Sequence, residues 1–127
     1  MATPFLKILK GEYTIHRFEV NEMVIPEILD DSFYSFTKSD DEISIVCNSE
    51  IVMNDSRQEP GWKIIKLIGP FDFTEVGIIA AITKTLADKQ IGVFVVSTFD
   101  TDFVLIKEEN LENSVEALKQ AGYSFIT

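Results

Sequence analysis

Sulfur and imidazole are nearly missing from this sequence. Its one cysteine, Cys47, excludes an internal disulfide and a cysteine-based zinc cluster, and its one histidine, His16, excludes a histidine cluster. Basic residues are scarce too: 11 Lys and Arg stand against 21 Asp and Glu, a formal charge of −10. Nucleic acids and anionic membranes need a positive face opposite them, so neither partner is expected and cationic ligands stay open. No apolar run reaches the roughly 18 residues that span a bilayer, and residues 1–7 lack a long apolar core behind a basic start. A cytoplasmic protein, neither exported nor membrane-inserted, is expected.

What is present is the material of a folded protein: 46% apolar and 25% charged residues in a chain of 127. A chain of this length makes one compact unit or two small subdomains, because lone domains of about 60 residues are marginally stable. Residues 5–9 and 13–18 read as two short strands around Lys10-Gly11-Glu12, and a hairpin is the simplest arrangement. Residues 19–32 carry Pro26 and no clean period, which fits mostly irregular chain. A second strand pair covers residues 33–37 and 42–47, and the polar stretch 48–61, with Pro60-Gly61, reads as a linker between the halves whose Ile51, Val52 and Met53 tuck against the core.

The later part is patterned more clearly. Residues 62–68 are a strand; Thr74 can cap a helix from Glu75 to about Lys89, with Ile79, Ile82 and Leu86 on one stripe. Residues 92–98 and 102–106 form two strands around a turn at Asp100-Thr101. Asn110 caps a second helix with Leu111, Val115 and Leu118 inward, Gly122 suits a left-handed C-cap, and residues 123–126 are a last strand. The order βαββαβ folds into an antiparallel sheet with both helices on one face, an α+β, ferredoxin-like architecture. An internal echo links Phe36-Thr37-Lys38-Ser39 and Glu42 to Val46 with Ser97-Thr98-Phe99-Asp100 and Asp102 to Ile106, so the first half reads as a worn copy of the second without its first helix.

The segments Leu9-Lys10-Gly11-Glu12-Tyr13, Phe33-Tyr34-Ser35-Phe36-Thr37, Asp41-Glu42-Ile43-Ser44-Ile45-Val46-Cys47, Gly61-Trp62 and Ser97-Thr98-Phe99-Asp100-Thr101-Asp102 follow one another along the chain. Through them the chain resembles the free-standing bacterial proteins with two ACT-like halves, and its second half is similar to the ACT repeats of the animal cytosolic arginine sensor and the regulatory ACT domains of aspartate kinases. The resemblance implies a degenerate ACT-like domain over residues 1–60 and an ACT domain over 61–127. It also implies a regulatory, allosteric protein that binds a free amino acid at an ACT–ACT interface of a homodimer and acts on an unidentified partner. One departure is Thr74, where the common ACT pattern has Asp three residues before the helix Gly; the arginine-sensor variant stands better with it.

Glu75, Val76 and Gly77 open the expected helix, and their N–H groups can hold a carboxylate, although water satisfies most helix ends. Asp102 can pair with an ammonium or guanidinium, or simply be a solvated turn acid. Phe71 and Phe73 can wall a pocket or belong to the core, and Asp72 and Thr74 lie between them and the helix. The resemblance implies that Glu75, Thr98, Phe99, Thr101 and Asp102 hold the amino acid; two acids at one site favour arginine or lysine. His16 has no triad partner nearby in sequence, and Cys47 has no basic neighbour to lower its pKa. The pairs Asp30-Asp31, Asp40-Asp41 and Glu108-Glu109 lack calcium-loop spacing, and no glycine-rich phosphate loop occurs, so no metal and no cofactor is expected. A binding module without chemistry of its own is the first reading, a protein–protein interaction subunit with no small-molecule ligand the alternative. An enzyme fits least, since no base–nucleophile pair can be named.

Overall fold

The structure, a computed structural model, describes residues 3–22, 33–72 and 74–127. They fall into two compact units, one of Met1–Lys10 with Lys63–Thr127 and one of Gly11–Trp62. The expectation of irregular chain over residues 19–32 lies for the most part outside the described residues, as does Phe73. No helix among the described residues is long and apolar enough to cross a membrane.

The Gly11–Trp62 unit is a sheet of β2 (Tyr13–Phe18), β3 (Ser35–Lys38), β4 (Ile43–Asn48) and the first part of β5 (Arg57–Leu67), in the order β3-β4-β2-β5 with every pair antiparallel. Strand alternation sets Thr14, His16 and Phe18 opposite Cys47, Ile45 and Ile43, so all six share one face. Phe18, Ile43, Ile45 and Cys47 form the buried cluster there, with Ile51 and Met53 packed on it as the sequence suggested, while Val52 is 83% exposed. Two polar side chains on this face find a partner nearby: the Thr14 and Ser49 hydroxyls lie 2.7 Å apart, and His16 Nδ1 is 2.8 Å from Ser56 Oγ. Pro60-Gly61 is no linker. It sits inside β5 where the register slips, Tyr13 facing Trp62 but Ile15 facing Glu59, and Gly61 takes φ 85°, a left-handed backbone that a side chain resists.

The other unit contains β1 (Phe5–Ile8), the end of β5, α1 (Ile78–Ala87), β6 (Phe94–Ser97), β7 (Asp102–Lys107), a single 3-10 turn (Glu108–Asn110), α2 (Leu111–Gln120) and β8 (Ser124–Ile126). Its strands run in the order β6-β7-β5-β1-β8. The βαββαβ sequence is present from β5 to β8, and β1 is added between β5 and β8, antiparallel to the first and parallel to the second. The expected hairpin of residues 5–18 therefore does not form: β1 pairs with β5 and β8, β2 with β4 and β5. The reason is the length of β5, whose 11 residues serve β2 with the first part and β1 with the last.

Both helices cover one face of this sheet. Leu6, Ile65, Leu67, Val104 and Ile106 point into it, and Ile78, Ile82, Leu86 and Leu118 meet them from the helices. The buried stripe of α1 is thus Ile78, Ile82 and Leu86 at intervals of four, with Ile79 only partly covered. Each fully buried Leu or Ile contributes about 1.5–3 kcal/mol relative to exposure, so this face fixes the sheet on which the turns sit. Both helices end in the same motif. Gly122 N–H donates to Lys119 O (3.0 Å) and Tyr123 N–H to Leu118 O (3.0 Å), while Gln90 N–H donates to Ala87 O (2.8 Å) and Ile91 N–H to Leu86 O (3.1 Å). Gly122 holds the left-handed position as expected, φ 102°; on α1 that position is Gln90, φ 59°.

Candidate functional site

Two turns of the Lys63–Thr127 unit lie side by side at one end of its sheet. The Phe71 N–H donates to Asp100 O at 2.9 Å and ties the segment after β5 to the turn between β6 and β7. Gly69 permits the approach: a Cβ there would sit 2.8 Å from Asp100 O. Thr101, 8% exposed, anchors the second turn by donating its hydroxyl to Leu67 O at 2.6 Å. Thr98 closes that turn, its N–H donating to Thr101 O (2.8 Å) and its Oγ1 accepting from Thr101 N–H (3.3 Å).

Between the turns lies a cavity of about 240 Å³. Of the residues singled out from the sequence, Phe71, Asp72, Glu75, Gly77, Thr98, Phe99, Thr101 and Asp102 line it. Thr74 and Val76 do not, Val76 being 80% exposed, and Phe73 is outside the described residues. Ile78, Ile79, Ser97 and Asp100 also line it and were not singled out as site residues. Asp100 and Ser97 stood in the turn motif itself, and that signal was available; Ile79 read only as core, and nothing in the sequence marked Ile78.

The helix start differs from the one read in the sequence. Thr74 is not the cap: α1 begins at Ile78, with Gly77 as its left-handed N-cap (φ 83°) and no side-chain cap. The first helical bond runs from Ala81 N–H to Gly77 O (3.0 Å), so the N–H groups of Ile78, Ile79 and Ala80 are those without an intrahelical acceptor. Glu75 instead closes a turn before the helix. Its N–H donates to Asp72 O (3.0 Å) and its Oε1 accepts from Asp72 N–H (3.1 Å), while Thr74 N–H reaches Asp72 Oδ1 (3.3 Å). The competing force is local: an Asx-type turn captures the side chains that would otherwise cap.

Asp102 Oδ1 accepts a hydrogen bond from Ser97 Oγ across the β6–β7 pair. Four carboxyl side chains, Asp72, Glu75, Asp100 and Asp102, therefore border one cavity whose lining includes no Lys or Arg. Such a lining favours a cation, and the helix N–H groups of Ile78 and Ile79, which lack an intrahelical acceptor, suit a carboxylate. The lining also has no imidazole or thiol. Cys47 is fully buried within β4. His16, 2% exposed, lies in the other unit with its ring stacked on Phe18 at 6.3 Å; burial holds its pKa below the usual 6.5, and its Nε2 has no hydrogen-bond partner among the described residues.

Comparison with known families bears on this site directly, because the family model for the ACT domain matches residues 57–120, β5 through α2, and so takes in both turns. The chain belongs to the ACT-domain family. A second family model, for an N-terminal domain, matches residues 11–55. The human cytosolic arginine sensor for mTORC1, subunit 1, is 30% identical in a 104-residue alignment that covers 75% of this ACT-domain protein and 31% of the sensor. The chain thus spans about a third of the length of the curated relatives it matches. A crystal structure from Agrobacterium tumefaciens is 40% identical and superposes with a TM-score of 0.90 over 99% of this chain and 94% of its own. The regulatory subunit of aspartate kinase from Thermus thermophilus shares the fold at 11% identity, TM-score 0.63, covering 95% of this chain and 99% of its own.

Proposed function

We propose that this ACT-domain protein is a non-enzymatic regulatory module that binds a free amino acid, arginine or lysine in preference, in the cavity between residues 71–77 and 97–102. The observation that carries the proposal is the convergence of Asp72, Glu75, Asp100 and Asp102 on one cavity without a basic residue in its lining. We assign the ligand's α-carboxylate to the N–H groups of Ile78 and Ile79 and its cationic groups to Glu75 and Asp102. Kinship with a protein named as an arginine sensor supports the cationic choice.

The same proposal includes a homodimer. Phe99 at the cavity is 78% exposed and Val76 beside it 80%, and a second copy would cover both. Ligand bound at such a seam prefers one arrangement of the two chains and shifts the population toward it, which a regulated partner then reads. The arrangement β3-β4-β2-β5 repeats the order β6-β7-β5-β1, which supports reading residues 1–60 as a worn ACT-like domain and 61–127 as an ACT domain, with β1 contributed by the first to the sheet of the second. The relative's name puts it in the cytosol, and we infer the same compartment here.

Calorimetric titration of arginine, lysine and threonine tests the site. A charge-assisted hydrogen bond contributes about 1.5–3 kcal/mol, so Glu75→Gln and Asp102→Asn each weaken binding by roughly 10- to 150-fold. Binding that survives both substitutions unchanged means the ligand sits elsewhere. A protein that sediments only as a monomer at high micromolar concentration removes the dimer.

A further inference from the structure

The two helices of the Lys63–Thr127 unit end alike, and the difference between the two ends is informative. The left-handed position after α2 is Gly122, which has no Cβ to clash; the same position after α1 is Gln90, with φ 59°. Glutamine is strained there, and such strain persists in structures chiefly where a ligand or a mechanism uses it. Nothing in the helix cap itself requires a carboxamide, because both hydrogen bonds of the motif come from backbone N–H groups.

Gln90 borders a second cavity of about 320 Å³, between the end of α1 and the length of α2. Three more carboxamides line it, Asn110, Asn113 and Gln120, together with one cation, Lys89, and one anion, Glu116. Gln120 Nε2 is 3.4 Å from Glu116 Oε1; the side chains of Gln90, Asn110 and Asn113 have no hydrogen-bond partner among the described residues. On a chain of net charge −10 this lining is balanced, one charge of each sign among groups that both donate and accept. An anion finds a single lysine offset by a glutamate, and a sugar finds no aromatic ring to stack on. A small zwitterion with a neutral, hydrogen-bonding side chain matches these polar groups, and Ile91 and Ala117 leave room for its apolar stem.

We propose that the cleft between the end of α1 and α2 is a second ligand site, which takes a free amino acid with a carboxamide side chain: Lys89 meets its carboxylate, Glu116 its ammonium, and Gln90 with Asn113 its amide. The site is separate from the acidic cavity and independent of the ligand proposed there.

The test is an amide-resolved NMR titration of the full chain with glutamine, asparagine and glucose, on wild type, Gln90→Gly, Asn113→Ala and Asp102→Asn. Glutamine or asparagine gives saturable shifts at residues 89–91 and 110–120, glucose gives none, and Asp102→Asn leaves them in place. Gln90→Gly weakens this binding at least tenfold yet holds or raises the melting temperature, by up to roughly 6 °C, because relief of the left-handed strain outweighs the looser unfolded chain. Asn113→Ala weakens binding without that rise. Absence of saturation up to the solubility limit, saturation by glucose alone, or binding undiminished in Gln90→Gly overturns the proposal.

Discussion

Adding one methyl group to Gly69 probes whether the two turns of the acidic cavity are held together as described. The Cβ of Gly69→Ala would lie 2.8 Å from Asp100 O, 3.1 Å from Phe71 N and 3.3 Å from Phe71 Cδ2, and the first two are backbone atoms that cannot swing aside. The turns must separate, and the 2.9 Å bond from Phe71 N–H to Asp100 O lengthens or breaks. Overpacking of this kind costs about 1–3 kcal/mol and the lost bond about 0.5–1.5, against a gain of about 0.4–1 from a stiffer unfolded chain. The net is a loss of about 0.5–4 kcal/mol, or a fall in melting temperature of roughly 2–16 °C for a domain of this size. Gly92→Ala is the control, since Gly92 has no atom within 4 Å of a built Cβ and its φ is not left-handed; it should hold or slightly raise the melting temperature. Scanning calorimetry on both variants decides. If Gly69→Ala melts at or above wild type, or if both variants fall together, the packed contact between the turns is not what holds the cavity.

Burial depresses the pKa of His16 below 6.5, so the unfolded chain binds this proton more readily than the folded one. Its contribution to stability is complete above pH 6.5 and is lost as pH drops from there toward the folded-state pKa, with a slope of at most about 1.4 kcal/mol per pH unit for one proton. Urea unfolding between about pH 5 and 8 should show this slope in wild type and lose it in His16→Gln; a slope that survives the substitution comes from other groups. Ile82, fully buried on the inner face of α1, should cost about 2–5 kcal/mol when cut to Ala. Lys84→Ala, which removes an exposed 2.9 Å pair with Asp88, should cost no more than about 0.5 kcal/mol by the same urea assay.

The βαββαβ order was legible because each of its elements carries its own local signal: the isoleucines of α1 recur at helical spacing, Gly122 marks the end of α2, and a polar turn separates the apolar runs of β6 and β7. Pairing partners were not legible. Whether β1 folds back on β2 or crosses to β5 depends on the reach of β5, and Pro60-Gly61 hid half of that strand by looking like a break rather than a bulge. The cavity was read from turn chemistry, and most of its lining followed. Its helix edge was misjudged by three residues because Asp72 and Glu75 bond to each other's backbone N–H and C=O groups in a turn of their own, which leaves Gly77 to start the helix.

The place of β1 ties the two ends of the chain to one event. Leu6 pairs with Leu67 on one side and with Phe125 on the other, so the strand between β5 and β8 comes from the opposite end of the sequence to β8. At a synthesis rate of about 5–20 residues per second, β1 waits on the order of ten seconds before its parallel neighbour exists. Through that interval Phe5 and Ile8, still 56% and 37% exposed in the finished fold, have no sheet to close against on that side. A cut after Lys10 would not trim a tail: it would pull out an inner strand and leave β8, three residues long, with nothing to pair with among the described strands.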